Sequence, residues 1–291
     1  MTKIAFVGLG NMGWPMAAHL VRAGYQVTGV DVDRIRAESW AATHDAPDTP
    51  AGFATSVAAV SEVVDVIVTM LPSGAEVREV LLSAAADAKE GMVAVDMSSA
   101  DPVGTRELGA ELASAGIRLV DAPVSGGVPR AVEGTLSIMI GGEPDAIEIA
   151  RPVLAAMGER LFEVGALGNG HAMKCLNNYV AGTAFVACSE ALAIGQRFGL
   201  DPTTMFDVMN VSTARCFNTD LVMKQHVVSG EFASGFALGL LAKDVGIADA
   251  LAAAMGADTP LADLVAARLA EARDALGFGV DHTRAHQHWS A

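Results

Sequence analysis

Lys174 and Asn178 stand four residues apart in a proline-free, largely apolar stretch at 171–198. On a helix that spacing puts both side chains on one face. A solvated lysine is unexpected there. An amine partly withdrawn from water gives up its charge more readily, which suits general acid–base work on a reacting oxygen. An asparagine one turn away can orient an oxygen or a carboxylate beside it. The competing reading is a lysine snorkelling at a helix end, with Asn177 and Asn178 as ordinary polar face residues. A second group of interest is Ser125-Gly126-Gly127. A hydroxyl followed by two residues with exposed backbone N–H groups can hold a carboxylate without a charged side chain. The same string also serves as a generic loop.

The run Ile4-Ala5-Phe6-Val7-Gly8-Leu9-Gly10-Asn11-Met12-Gly13 is an apolar strand followed by G-x-G-x-x-G. In that arrangement the first glycine makes the turn, the second admits a pyrophosphate to the backbone, and the third lets helix and strand pack closely. Unpaired N–H groups at the following helix start would meet the phosphates. The context supports a dinucleotide site, because a second strand ends at Asp31, 18 residues past Gly13. A carboxylate there accepts from the adenosine ribose and repels a 2′-phosphate, which favours NAD. Arg34 and Arg36 leave NADP possible. Leu71-Pro72 and Ser98-Ser99 follow two further strand-like runs, where ligands sit in open parallel sheets. Ordinary helix-capping turns are the alternative for both.

Alternation of short β-branched runs with helix-length segments positions these residues. The pattern predicts strands at 4–7, 27–30, 66–70, 93–95, 119–120 and 138–140. It predicts helices at 11–23, 33–42, 74–88, 102–115 and 144–157, the signature of a doubly wound, mostly parallel α/β sheet. After 165–170 the strands stop. Helices are expected at 171–198, 202–210, 218–228, 238–254 and 260–275. The expectation is a Rossmann-type α/β domain at 1–165 and an all-helical domain at 166–291, joined by a long helix. At about 42 Å that helix is longer than a small domain is wide. Its apolar residues fall on nearly every face, which implies burial all round, partly by a second subunit.

The 291 residues carry 34 acidic and 19 basic side chains, a formal net charge of −15. That field disfavours nucleic acid and anionic membrane surfaces. Mean hydropathy is +0.38, yet no apolar run approaches the ~18 residues that span a bilayer. The start, Met1-Thr2-Lys3-Ile4, enters a strand-like run without a signal-peptide preamble, so a cytoplasmic location is expected. Cys175, Cys188 and Cys216 read as reduced core thiols. The histidines at 282, 286 and 288 read as a solvated or subunit-contact tail, and no metal site is expected.

Four blocks together resemble the β-hydroxyacid dehydrogenases, the 3-hydroxyisobutyrate dehydrogenase group. They are 8–13 with Met12; 121–127 continuing into Gly134-Thr135-Leu136; 168–178; and Lys243-Asp244. The resemblance runs over almost the whole chain. It implies that Lys174 is the catalytic lysine and Asn178 the substrate-orienting amide. Ser125, Gly126 and Gly127 would bind the substrate carboxylate. Gly8, Leu9, Gly10, Asn11, Met12, Gly13, Asp31, Leu71, Pro72 and Ser99 would bind NAD, and Lys243 would lie near the nicotinamide end of the cleft. The implied reaction is reversible oxidation of a small anionic 3-hydroxyacid to its semialdehyde or ketone, in a homodimer or homotetramer. Arg215-Cys216-Phe217 looks closer to the 3-hydroxyisobutyrate enzymes, while 127–131 is as similar to the tartronate semialdehyde reductases. Phe217 and Phe236 would form either an apolar substrate wall or plain core. An imine reductase, which replaces the lysine, and a non-catalytic dinucleotide-binding module are the other readings.

Overall fold

The structure is a computed structural model that describes residues 1–45 and 50–290. It divides into two compact units, Met1–Lys174 and Cys175–Ala291. In the first, β1 (Lys3–Val7), β2 (Gln26–Val30), β3 (Gly52–Ala54), β4 (Val66–Thr69), β5 (Val93–Asp96) and β6 (Arg118–Asp121) pair in parallel in the order β3-β2-β1-β4-β5-β6. The central strands are buried on both faces, as a parallel sheet covered by helices requires. β7 (Val124–Ser125) and β8 (Leu136–Gly141) extend the sheet antiparallel, and β9 (Gly158–Gly165) pairs in parallel with β8.

Period-two alternation sorts the strand residues onto two cores. Ile4, Phe6, Val66, Val68, Val93 and Val95 face one side, where Met16, Leu20 and Trp40 also lie. Ala5, Val7, Ile67 and Ala94 face the other with Val77, Leu81, Leu108 and Leu112. The helices on these faces are α1 (Gly13–Arg22), α2 (Arg34–His44), α3 (Gly74–Ala85), α4 (Pro102–Ser114), α5 (Gly127–Glu133) and α6 (Pro144–Ala155). Their starts are set by caps. Asp33 accepts from the Ile35 and Arg36 amides, Ser73 from Ala75, and Asp101 from Val103 and Gly104 with Pro102 at the first helical position. The register places Val7, Thr69, Asp96 and Asp121 in one row across β1, β4, β5 and β6. The loops after those strands therefore leave from a common edge.

α7 (Asn169–Phe198) starts in the first unit and continues into the second. There α8 (Pro202–Asn210), a π-helical segment (Asn218–Val228), α9 (Leu238–Ala254), α10 (Pro260–Leu276) and α11 (Ala285–Ser290) surround Phe185, Leu192, Phe206, Met223, Leu241, Val245 and Leu269. Among the described residues no strand follows β9, and only Ala237 and Asp281 form an isolated bridge.

Three strands lie outside the sequence expectation. β3 and β7 are three and two residues long, and β9 carries exposed Glu159, Arg160 and Glu163 in place of an apolar run. Within the chain α7 is covered only in part: Phe185, Cys188 and Leu192 are buried, whereas Val180, Ile194 and Phe198 are exposed. The expected histidine tail is corrected. His282 and His286 are buried, and the Asp281 carboxylate accepts from Ser234 and Gly235, which folds 281–286 into the second unit. Cys175 and Cys188 are buried and Cys216 is half-buried.

Candidate active site

At the end of β1 the backbone turns through Gly8, whose φ of +96° is a region that favours glycine. Space also demands glycine here, since a Cβ on Gly8 would stand 2.3 Å from the Met70 carbonyl oxygen. One on Gly13 would stand 1.8 Å from the Gly8 carbonyl oxygen. Gly10 differs, because a Cβ there meets nothing within 4 Å. It borders an open groove of about 600 Å³ lined by Leu9, Gly10, Asn11, Trp14, Pro15, Arg36 and Val132. Two close-packed glycines flanking one open glycine is the shape a pyrophosphate cradle needs. Leu9 is buried in the core, whereas Met12 is half-buried.

Asp31, just past β2, is held beside this loop. Its Oδ2 accepts from the Leu9 amide at 2.9 Å and its Oδ1 from the Asp33 amide at 2.9 Å. Arg36 Nη1 reaches Asp31 Oδ2 at 3.4 Å, and Arg36 Nη2 lies 3.6 Å from Asp33. The next two strand ends are tied together. The Leu71 amide donates to Ser98 Oγ at 2.9 Å, and the Met70 amide to the Val7 carbonyl at 2.9 Å. Leu71, exposed Pro72 and half-buried Ser99 thus share the sheet edge with the glycine loop.

Beyond β6, Ser125 closes β7, and Gly126 and Gly127 have φ of +133° and +64°, which turn the chain into α5. The Asp121 carboxylate, fully buried, reaches forward to the start of α7. Its Oδ1 accepts from the Gly168 amide at 2.8 Å and its Oδ2 from the His171 amide at 2.7 Å. This is an N-cap supplied from a distant strand. Burial pushes the Asp121 carboxyl up, while the His171 ring and these two amides oppose the rise. Lys174, half-buried, lies three residues further along the same helix.

In the second unit the buried Asn178 amide has a set orientation. Its Nδ2 donates to Asp244 Oδ2 at 2.6 Å, and its Oδ1 accepts from Asn177 Nδ2 at 3.1 Å. Asp244 Oδ1 accepts no hydrogen bond among the described residues, and Lys243 Nζ stands 3.9 Å from it. Phe236 packs against the core, whereas Phe217 is exposed. The sequence reading left Asp96, Thr105, His171 and Asp244 out of the site. For Asp96 and Asp121 a signal exists, since each is an acid closing an apolar run, as in Val93-Ala94-Val95-Asp96. Thr105 and His171 carry no local signal.

Residues 3–165 match the family model for the NAD binding domain of 6-phosphogluconate dehydrogenase, and residues 168–289 match that for the NAD-binding of NADP-dependent 3-hydroxyisobutyrate dehydrogenase. A probable 3-hydroxyisobutyrate dehydrogenase of Mycobacterium tuberculosis is 38% identical over 97% of this chain and 98% of its own. The chain belongs to the β-hydroxyacid dehydrogenase family. A further relative, the 2-(hydroxymethyl)glutarate dehydrogenase of Eubacterium barkeri, is 36% identical over 95% of this chain and 91% of its own. The solved M. tuberculosis 3-hydroxyisobutyrate dehydrogenase with L-serine superimposes with a TM-score of 0.91 at 35% identity, covering all of both chains. As a β-hydroxyacid dehydrogenase the protein is an oxidoreductase of CH–OH donors that uses NAD(P). The glycine loop, Asp31 and the open groove at Gly10 fit that cofactor. Among its described residues no helix is long and apolar enough to cross a membrane.

Proposed function

We propose that this dehydrogenase interconverts a small 2-substituted 3-hydroxypropanoate and its semialdehyde, with Lys174 as the acid–base group. The substrate class rests on what its relatives share. 3-Hydroxyisobutyrate, 2-(hydroxymethyl)glutarate and the L-serine in the M. tuberculosis structure all carry a CH₂OH group next to a carboxylate-bearing carbon. The observation that carries the role of Lys174 is its place on α7. It lies one turn before the oriented Asn178 amide, on a helix whose start is fixed to the end of β6 by Asp121.

Bound NAD(P) supplies the acceptor for the hydride that leaves the carbinol carbon. Lys174, as the neutral amine, takes the hydroxyl proton; in reduction its ammonium polarises the carbonyl and returns that proton. Ser125 and the backbone N–H groups of Gly126 and Gly127 hold the substrate carboxylate. Asn178, aligned by Asp244 and Asn177, orients the substrate beside the lysine. Lys243 contributes a second positive charge to an otherwise acidic protein. Asp31 favours NAD by accepting from the ribose and opposing a 2′-phosphate. Residues 1–165 form the NAD-binding domain and residues 166–291 the substrate and oligomerisation domain. The exposed apolar residues of α7 support a homodimer or homotetramer, three cysteines that read as reduced thiols support a cytoplasmic location, and the charge of −15 disfavours nucleic acid and anionic membrane surfaces.

The test is nicotinamide absorbance with 3-hydroxyisobutyrate, 2-(hydroxymethyl)glutarate, glycerate, threonate and serine, each with NAD and NADP. Lys174→Ala is expected to lower turnover roughly 10²–10⁴-fold and to leave NAD binding nearly intact. Parental turnover in that variant overturns the assignment.

A further inference from the structure

A fully buried histidine sits at the first turn of α7, and the proton-transfer scheme above has no use for it. His171 Nδ1 lies 2.8 Å from Thr105 Oγ1, and its Nε2 lies 3.2 Å from the Ser98 carbonyl oxygen. Asp96 Oδ2 stands 3.6 Å from Nε2 and Asp121 Oδ2 stands 3.8 Å from Nδ1. A carbonyl oxygen only accepts, so Nε2 donates to Ser98. The Thr105 hydroxyl faces Nδ1 and the Asp101 carbonyl oxygen, the latter at 2.9 Å. Both ring nitrogens are thus engaged, and two buried carboxylates lie beside them.

The groups around the ring are the residues that fix the sheet edge. Asp96 Oδ1 accepts from Thr69 Oγ1 at 2.9 Å and from the Ser98 amide at 3.0 Å. Ser98 Oγ in turn accepts from Leu71. Asp121 holds the Gly168 and His171 amides. The approach is too tight for a side chain on the backbone in between, since a Cβ on Gly170 would lie 2.5 Å from the Met139 carbonyl oxygen and 2.8 Å from Asp121 Oδ2.

We propose that His171 is a positioning residue for Lys174: held by Thr105 and the Ser98 carbonyl between Asp96 and Asp121, its ring locks the first turn of α7 to the ends of β5 and β6 and to the Ser98–Ser99 turn. The lysine one turn later then projects from a start that cannot rock against the cofactor-binding edge. The inference rests on the acid–base reading of Lys174.

Purified full-length His171→Leu, His171→Gln, Thr105→Val and Lys174→Ala proteins are compared with the parent by thermal melting, NAD titration and steady-state kinetics. The substrate is 3-hydroxyisobutyrate, with and without deuterium at the carbinol carbon. For His171→Leu the expected result is a turnover loss of roughly 10- to 100-fold, the scale of a misplaced catalytic group, with NAD affinity within about threefold of parent. The deuterium isotope effect on turnover should rise, because the chemical step becomes limiting. Glutamine keeps one donor and should recover part of the loss. Parental turnover and isotope effect in both histidine variants overturn the proposal. So does a turnover loss matched by an equal loss of NAD affinity, which marks a general structural role. Should His171→Leu not fold, Thr105→Val keeps the ring and removes its Nδ1 partner; an unchanged isotope effect there overturns the proposal too. An active Lys174→Ala protein sinks both this inference and the acid–base reading. An inactive one beside parental His171 variants sinks this inference alone.

Discussion

Two single-methyl substitutions in the glycine loop should separate folding from cofactor binding. Gly13→Ala places a Cβ 1.8 Å from the Gly8 carbonyl oxygen and 3.0 Å from Phe6 Cε1. Relief needs a shift of roughly 1 Å or more in backbone, since neither neighbour is a flexible chain end. Gly8 cannot give way easily, because its amide donates to the Val30 carbonyl at 2.8 Å and the Met70 carbonyl oxygen stands 2.3 Å from where its Cβ would be. Overpacking of this kind costs about 1–3 kcal/mol, and a rigid carbonyl places it at the upper end. The helical preference for alanine offsets at most ~1 kcal/mol. The net loss of about 2 kcal/mol corresponds to a fall in Tm of roughly 4–8 °C. Gly10→Ala meets nothing within 4 Å, so its melting curve should stay within about 0.5 kcal/mol of parent. Its methyl group stands where the pyrophosphate approaches, so NAD affinity should fall at least about tenfold, ~1.4 kcal/mol. Thermal melts and NADH fluorescence titration read the two effects separately. A Gly13→Ala protein as stable as the parent, or a Gly10→Ala protein that binds NAD as tightly, refutes this account of the loop.

Asp31→Ser removes a carboxylate that opposes a 2′-phosphate and releases Arg36. The ratio of NADP to NAD affinity should rise at least about tenfold, within the ~1–4 kcal/mol of one close like-charge contact; an unchanged ratio counts against Asp31 as the selector. Burial pushes the Cys188 thiol up to about 12, with Cys216 adding to the rise. In the folded protein at about pH 8, iodoacetamide should leave Cys188 unmodified in peptide mass spectra, and rapid labelling of Cys188 would contradict its burial. Burial also pushes His282 and His286 below their ordinary value of 6.5. Their neutral rings therefore contribute stability that is present above about pH 6.5 and lost as pH falls through the lowered folded-state values. Melting temperature should drop between about pH 7 and about pH 5, less steeply in His286→Phe; equal slopes would exclude that histidine as a contributor.

The glycine loop and Asp31 were legible because a strand, a turn and a helix start are local events, and G-x-G-x-x-G with an acid 18 residues on encodes all three within one short span. The residues around Lys174 were legible only in part. Its spacing to Asn178 is helical arithmetic, but the orientation of the Asn178 amide comes from Asp244, 66 residues away. The cap on α7 comes from Asp121, 47 residues before Gly168, and no pattern near 168–174 announces it. β7 and β9 were missed for a related reason. A two-residue strand and a charged edge strand take their shape from the partner β8, with little from their own propensities.

By itself the sequence determined the class of this protein. Apolar runs of strand length, helical periodicities, glycines at set intervals and a lysine where water is scarce are properties of short segments, and each segment states its own preference. Tertiary structure decided what touches what. It set Asp96 and Asp121 in one row with Val7 and Thr69, because parallel register is fixed by pairing across the sheet. It brought His171 between those two carboxylates, buried histidines into what reads as a polar tail, and left one side of α7 uncovered. Hydrogen bonds to buried charges demand partners at specific distances, and only the folded chain supplies them from 47 to 73 residues away.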